Sequence, residues 1–468
     1  MTIMNKRWQV APKLPTEMAE KLAGYPAITQ QLLYNRGIHT AEDAQIFLQA
    51  SGSLHDPFLM LEMEKAAARL VTAVEQGQPL AVYGDYDVDG VTATALLVQV
   101  LQKMGADARA YIPNRFDEGY GLNIEALESL YADGIRLVIT VDCGIRSPKE
   151  AARCREIGLD LIITDHHEPL DKEIPSAYAV ICPKQEGDTY PDKNLAGVGL
   201  AFKLAEAVLK LRPTPGVQVT DWLDLVAVGT VADVVPLRGE NRALVRAGMR
   251  ILRRGERQGL RSLLGAAGVE SPARLSARDI GFTIGPRLNA AGRLESALAA
   301  FDLLMEEEAQ QAGLLAQKLD DQNRARQEMT MRMVQDAETM MVDEGAGSGP
   351  DDRMLLFAAR PDFNMGVVGL VAARLTDAYY RPAVVGAQGE EFTRASCRSI
   401  PEFHITHALD ECTDLMVRHG GHAMAAGFTI RNELLPELSR RLKAIAEREL
   451  GQQELCPILR GDIELSLA

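Results

Sequence analysis

The residues able to do chemistry in this sequence are a small set of carboxylates and imidazoles. Asp85, Asp87 and Asp89 alternate within GDYDVDG, and Asp142 stands in VITVDCG. Asp165, His166 and His167 run together in LIITDHHEP, and Asp233 lies in LVAVGTVADVVPL. Carboxylates brought to one place repel. A pair about 4 Å apart costs about 1 kcal/mol in water and about 4 kcal/mol at an effective dielectric of 20. Divalent cations remove that cost and supply reactivity in the same step. Two ions about 3.5–4 Å apart, bridged by a shared carboxylate, activate water and clamp a phosphoryl group. A mixed carboxylate and imidazole shell suits Mn²⁺ better than Mg²⁺, which prefers an all-oxygen octahedron. Taken alone, a D-x-D after a strand is more often a turn or helix cap, and a His pair is more often packed or solvated. The four elements together point to a metal site.

Each cluster ends an apolar segment, so the segments must be neighbouring strands if the clusters are to meet. From residue 79, LAVYG reads as a buried strand, Val91–Met104 as a helix, ARAYIP as a strand and Ile124–Ala132 as a helix. RLVITVD, a helix over 149–157, DLIITD and AYAVICP follow. Short apolar runs alternating with helices predict a parallel sheet with right-handed crossovers, whose ligands collect at the carboxyl ends of the strands. All four clusters are therefore expected at one sheet edge. Residues 16–50 read as amphipathic helices with Leu22, Leu32, Leu33, Ile46 and Phe47 inward. After residue 196 the pattern is mostly helical, and a long polar helix is expected over about 305–342. GAGSGPDD (345–352) is a linker. A second alternating unit follows: RMLLFAA, a helix over 366–379, RPAVVGA, FTRASCR, a helix over about 404–418, AAGFTI and a final helix to about 450.

The chain has 468 residues, enough for about three domains or two large ones. Its 47% apolar and 25% charged residues are those of a folded globular protein, which excludes wholesale disorder, a coiled-coil rod and a disulfide-stapled miniprotein. No run reaches the length of a membrane span. The N-terminus lacks the apolar core of a signal peptide, and the six cysteines are scattered without a C-x-x-C pair. Reduced thiols and a cytoplasmic location are expected. The formal net charge of -15 argues against a nucleic-acid coat protein, but the acidity is uneven. Residues 238–293 carry twelve Arg, no Lys and four acids. Arg238, Arg242, Arg246 and Arg250 recur every four residues and would line one helix face, either as a solvated surface or as phosphate forks.

GDYDVDG, VDCG, TDHH and GTVADVVPL, in this order, resemble the four motifs of the DHH phosphoesterase superfamily. YIPNRFDEGYGL, LAGVGLAFKLA, GPRLNAAGR and GGHAMAAG narrow the resemblance to the RecJ single-strand-specific exonucleases, over about residues 16–450. The resemblance implies metal ligands at Asp87, Asp89, Asp142, His166 and Asp233. Asp87 and Asp142 would hold one ion and Asp89, Asp142, His166 and Asp233 the other, with Asp142 as the bridge. Asp85 would be an outer acceptor, and His167 would face the scissile phosphate. Some superfamily members have a His four residues before the D-x-D pair. Tyr83 occupies that position here, which implies a weaker first ion.

The resemblance also implies substrate contacts. It places the GPRLNAAGR loop, with Arg287, Asn289 and Arg293, beside the metals. In FTRASCRS it assigns Ser396 and Arg398 to a 5′-phosphate, with Cys397 where the family usually has Gly, and it brings His422 of GGH to the phosphate. The residues of NRFDEGYGL themselves leave two readings: Phe116 and Tyr120 stack one or two terminal bases with Arg115 on the backbone, or they pack the loop. An extended stacking platform is excluded by the 5% aromatic content.

The implied architecture is α/β. A parallel-sheet DHH catalytic domain with an Arg-rich helical part (76–304) is joined by a long helix (305–344) and the linker to a smaller α/β DHH-associated domain (353–450), with a catalytic cleft between them. A mainly helical extension (1–75) precedes these domains. Residues 451–468 would begin an oligonucleotide-binding domain that is truncated or absent. The implied function is 5′→3′ exonucleolytic degradation of single-stranded DNA to 5′-mononucleotides in repair and recombination, through water activated by two divalent cations, Mn²⁺ before Mg²⁺. A monomer acting with single-strand-binding protein and a helicase, away from membranes, fits that role. Two rival readings are an oligoribonuclease or cyclic-dinucleotide phosphodiesterase of the same superfamily, and an inactive RecJ-like replication scaffold.

Overall fold

A computed structural model of the chain describes residues 6–50, 52, 54–114, 118, 121–170, 173–343 and 353–465. The linker at 345–352 and the candidate contacts Arg115, Phe116 and Tyr120 lie outside the described residues. The chain divides into two units, one of residues 42–323 and one of residues 1–41 with 324–468. This division cuts across the extension expected at 1–75.

In the first unit, five strands pair in parallel in the order Ala108–Tyr111, Leu80–Gly84, Leu137–Val141, Asp160–Thr164, Ala179–Ile181. The first crossover goes to one side of Leu80–Gly84 and the rest to the other. The strand order therefore reverses between Leu80–Gly84 and Leu137–Val141, where such sheets form a crevice. Leu80–Gly84 and Leu137–Val141 are buried throughout, as expected of strands covered on both faces. Helices Val88–Lys103, Gly197–Leu211 and Leu223–Ala232 share one core with the sheet. Gly248 of helix Gly239–Leu252 abuts the Leu223 carbonyl, leaving no room there for a side chain.

Several elements differ from expectation. The apolar run LVAVGTVA is a helix, Leu223–Ala232, so Asp233 caps a helix end instead of following a strand. A buried apolar run carries no period that separates the two states. GPRLNAAGR is also a helix, Gly285–Leu294, entered through a π-helical turn at Ile280–Ile284. Ile46 is exposed, whereas Leu22 and Leu33 are buried.

Several arginines of the Arg-rich stretch are engaged within the protein. Arg242 and Arg246 donate to the Phe47 and Leu48 carbonyls (2.6 and 3.0 Å), and Arg253 donates to the Leu275 carbonyl (2.8 Å). Arg257 pairs with Asp224 at 2.6 Å.

The second unit holds a mixed sheet in the order Met416–His422, Ala425–Arg431, Phe392–Arg398, Ala383–Gln388, Leu356–Arg360. The helix expected over 404–418 is only Ile405–Asp410, and residues 416–431 form a β-hairpin. Strand Arg7–Val10 pairs in parallel with Ile458–Gly461, so both ends of the described chain belong to this unit. The long helix Ala309–Asp343 crosses the boundary between the units. Among the described residues no helix is long and apolar enough to cross a membrane.

Candidate metal centre

The parallel sheet delivers three of the four clusters to one edge. Asp85 follows Gly84, Asp142 follows Val141, and Asp165 follows Thr164. Asp142 turns sharply there with φ 64°, and Gly144 follows with φ 110°. Asp tolerates this left-handed region better than most residues. The fourth cluster arrives from the helix layer: Asp233 ends helix Leu223–Ala232, and Val234 beside it has φ 62°. A β-branched residue rarely adopts that conformation, and such strain gathers at functional sites.

Local structure fixes each carboxylate. Asp87 caps helix Val88–Lys103, accepting from the Asp89 and Gly90 amides at 2.9 and 3.1 Å. The cap reading of D-x-D therefore holds alongside the cluster. Asp89 is gripped by the start of a second helix, with its oxygens accepting from the Gly197 and Val198 amides at 2.6 and 2.8 Å. The partial positive charge of that terminus favours a carboxylate. Gly197 is needed for a further reason, because a Cβ there would lie 2.5 Å from the Asp142 Cβ. Gly90 likewise faces the Asp85 backbone, where a Cβ would approach to 2.6 Å.

The resulting group is tight. His166 Nε2 lies 3.1 Å from Asp142 Oδ1, 3.6 Å from Asp233 Oδ2 and 3.9 Å from Asp89 Oδ2. Asp85, Asp87 and Asp142 form one potential ligand group, Asp89, His166 and Asp233 a second, and Asp142, His166 and His167 a third. Asp142 and His166 each belong to two of these groups. Asp142 Oδ1 and His166 Nε2 are buried and make no hydrogen bond, which is costly unless they share a cation. The donor set of carboxylate oxygens and one imidazole fits Mn²⁺ or Mg²⁺ chemistry.

His167 is placed differently. Its Nδ1 lies 2.7 Å from Asp165 Oδ1, which also accepts its backbone amide at 3.0 Å. Asp165 Oδ2 takes the Ile145 amide at 2.9 Å. Asp165 therefore orients His167 as carboxylates orient metal-site and catalytic imidazoles. The motif alone did not assign it that task.

The electrostatics record the crowding. Burial, then the charges of Asp233 and Asp87, hold Asp89 well above the usual carboxylate range. Burial and the charges of Asp89, Asp87 and Asp85 do the same to Asp142. Burial, followed by Asp87, pushes Asp233 up to about 6. Burial, reinforced by His167, brings His166 down to about 4. Burial opposes protonation of His167, but the Asp165 hydrogen bond and charge raise its pKa overall.

These shifts set the pH response of chelator-treated protein. Between the ordinary carboxylate value and about 6, folded Asp233 holds a proton that the unfolded chain has lost, so stability falls as pH rises. His166 acts oppositely between about 4 and 6.5, because burial keeps it neutral in the fold. Asp89 and Asp142, held above the usual carboxylate range by burial and by their neighbours' charges, act in the same direction as Asp233. Three raised carboxylates oppose one lowered imidazole, so the Tm of chelated protein is expected to fall from about pH 4.5 to about pH 6. Mn²⁺ at about a hundred times its Kd should restore about 5–10 °C. A chelated Tm that climbs over this interval would contradict the crowding.

The remaining candidates are placed as follows. Arg287 is paired with buried Asp320 at 2.8 Å and donates to the Thr283 carbonyl at 2.9 Å, so its guanidinium braces the long helix. Asn289 and Arg293 are half-buried on the same helix, whose Gly292 packs against the Tyr86 carbonyl, where a Cβ would approach to 2.8 Å. That helix therefore lies beside the aspartate loop. Tyr83 stacks on Tyr111 and donates to the Gly121 carbonyl at 3.1 Å.

In the second unit, Arg398 donates to Ser396 Oγ at 3.0 Å, while Cys397 points into the core. Gly369, in the first turn of helix Val368–Tyr379, faces both, and a Cβ there would lie 3.1 Å from Ser396 Oγ. Arg398 has no carboxylate partner among the described residues, and burial lowers its pKa. His422 is exposed at the end of strand Met416–His422.

Residues 79–230 match the model of the DHH family N-terminal domain, and residues 352–448 match that of the DHHA1 domain. The single-stranded-DNA-specific exonuclease RecJ of Bacillus subtilis (strain 168) is 42% identical over 449 residues, 95% of this chain and 55% of that protein. RecJ of Escherichia coli (strain K12) is 36% identical over 479 residues, 98% of this chain and 81% of that protein. The chain thus spans about half of one relative and four-fifths of the other. The solved structure of Thermus thermophilus RecJ in complex with Mn²⁺ matches with a TM-score of 0.81 and 32% identity, over 97% of this chain and 64% of that one. The same protein has also been solved with Mg²⁺.

Proposed function

The chain belongs to the RecJ family of DHH proteins, and from that premise we propose that it is a 5′→3′ exonuclease that degrades single-stranded DNA to 5′-mononucleotides in the cytoplasm. The observation that carries this reading is the buried meeting of Asp142 Oδ1 with His166 Nε2, ringed by Asp85, Asp87, Asp89 and Asp233.

Asp85, Asp87 and Asp142 would hold one divalent cation, and Asp89, Asp142, His166 and Asp233 a second, with Mn²⁺ preferred. Bound there, such ions polarise the phosphodiester and make water a nucleophile at neutral pH. The protein's own residues do the rest. Asp165 holds His167 so that its imidazolium donates a hydrogen bond to the scissile phosphate. Asn289 and Arg293 bind the adjacent backbone. In the second unit, Ser396, the Arg398 guanidinium and the start of helix Val368–Tyr379 converge on one point. An uncompensated half-buried guanidinium beside helix amides is suited to a terminal phosphate, and we assign that point, with His422 near it, to the 5′-phosphate.

A direct comparison tests the reading. A 5′-phosphorylated single-stranded 30-mer should be degraded with release of 5′-mononucleotides, while a blunt duplex of the same sequence and linear dinucleotides should be poor substrates. Cleavage confined to the dinucleotides would assign the site to another DHH chemistry. Arg398→Ala should lower kcat/KM on the phosphorylated 30-mer by about 10–100-fold, from the loss of a charge-assisted contact. The preference for a phosphorylated over a hydroxyl 5′ end should disappear with it.

A further inference from the structure

We propose that Lys184 is a substrate-binding residue of the metal centre that takes a non-bridging oxygen of the scissile phosphodiester. The inference rests on the phosphodiesterase reading and adds to it a residue that none of the acidic motifs contains.

Lys184 lies just beyond strand Ala179–Ile181, the fifth strand of the parallel sheet, and so at the edge where the carboxylates gather. The segment is Cys182-Pro183-Lys184-Gln185, closed as a turn by the Gln185 amide donating to the Cys182 carbonyl at 3.0 Å. Pro183 sits at the second position, where its fixed φ favours a turn. Buried Gln185 anchors the far side, donating from Nε2 to the Val180 carbonyl at 2.8 Å. The Cys182 thiol lies 3.5 Å from the His167 carbonyl, tying this turn to the imidazole loop. A rigid turn therefore presents one ammonium group at a chosen place.

That place is beside the ligands. Lys184 Nζ lies 3.5 Å from Glu168 Oε1, the residue directly after His167. Glu168 and His167 belong to the same loop as the ligand His166, so the ammonium lies against that loop. Asp233 is the partly open member of the group, with 23% of its side chain exposed, and the Lys184 side chain is 24% exposed. The Lys184 side chain and Asp233 are thus each partly open to solvent, as a phosphate contact requires.

Its present partner is weak. Glu168 is 69% exposed, and a solvent-exposed pair of this kind contributes little. The other cation at this loop, Arg146, is already bonded through Nε to the Glu168 carbonyl at 2.8 Å. Lys184 can leave Glu168 for a phosphate oxygen without leaving a buried charge behind. A cation here also repels the metal ions, so it is a cost to the centre unless an anion comes to meet it.

Two readouts test this. In Lys184→Met, Mn²⁺ affinity measured by titration calorimetry without nucleic acid is expected to rise about 3–10-fold, from the loss of a nearby positive charge. The dependence of log kcat/KM on log salt for a single-stranded 30-mer should become shallower by about 0.7, the loss of one phosphate contact, with kcat/KM down about 10–100-fold. Lys184→Arg should restore the salt slope. A purely structural lysine would leave Mn²⁺ affinity and the slope unchanged, and that result would overturn the assignment. Weakened Mn²⁺ binding in Lys184→Met would overturn it equally. If the unmodified protein cleaves no single-stranded DNA, the function proposed above fails, while the Mn²⁺ titration still reports where Lys184 stands.

Discussion

Asp142→Asn is expected to abolish nuclease activity, with kcat down at least about a thousandfold, equivalent to ~4 kcal/mol of transition-state stabilisation. Asn is the informative replacement because position 142 has φ 64°, and Asn accepts that conformation as readily as Asp does. The fold is thereby spared, and only the anionic oxygen is removed. Asp142 Oδ1 faces His166 Nε2 at 3.1 Å, and Asp142 also joins Asp85 and Asp87. Its loss therefore affects both ligand groups. Mn²⁺ stoichiometry by calorimetry should fall together with activity. The thermal stability of chelated Asp142→Asn should equal or exceed that of the chelated parent, because a crowded carboxylate has gone. A variant that keeps full activity would remove Asp142 from the centre.

The second large effect separates His167 from its neighbour. His166→Ala should weaken Mn²⁺ binding, whereas His167→Ala should leave it within about twofold and lower kcat about 10²–10³-fold, the range for a donor to developing charge. With Nδ1 held by Asp165 at 2.7 Å, the acting nitrogen is Nε2. Asp165→Asn should reproduce much of the loss without touching a proposed ligand. Equal losses of Mn²⁺ affinity in both histidine variants would make His167 a ligand as well, through the group it forms with Asp142 and His166.

The sequence made some of this site legible and hid the rest for physical reasons. In a parallel sheet, every strand's carboxyl end lies on one edge, so GDYDVDG, VDCG and TDHH could be brought together without any knowledge of side-chain packing. Asp233 comes within 3.6 Å of His166 from a helix end and not from a strand. VAVGTVA is buried on all sides, and a uniformly apolar run does not separate helix from strand. The role of Gly197 was hidden because it lies in proximity: its amide and its missing side chain matter only once Asp89 and Asp142 are beside it. The arginines of residues 238–257 mislead in the opposite way. Their spacing is that of a helix face, but Arg242, Arg246 and Arg253 bond backbone carbonyls and Arg257 an aspartate, all brought from elsewhere in the chain. Spacing along one helix cannot reveal them. The helix expected over 404–418 ends at Asp410, and strand Met416–His422 begins within that range and pairs with the expected AAGFTI segment, a partner that local sequence does not reveal.

The pairing of Arg7–Val10 with Ile458–Gly461 has a consequence in time. On the ribosome these partners are made about 450 residues apart, which at ~5–20 residues per second is a wait of roughly 20–90 s. For roughly the last third of that interval the unit of residues 42–323 is fully synthesised and can fold. The first 41 residues meanwhile remain without the segment they pair with. Trp8, 70% exposed even in the finished fold, spends that wait on a nascent tail. Strand Arg7–Val10 is thus made long before its partner and is among the last elements to find its place, and chaperone capture or proteolytic clipping during synthesis should fall there first.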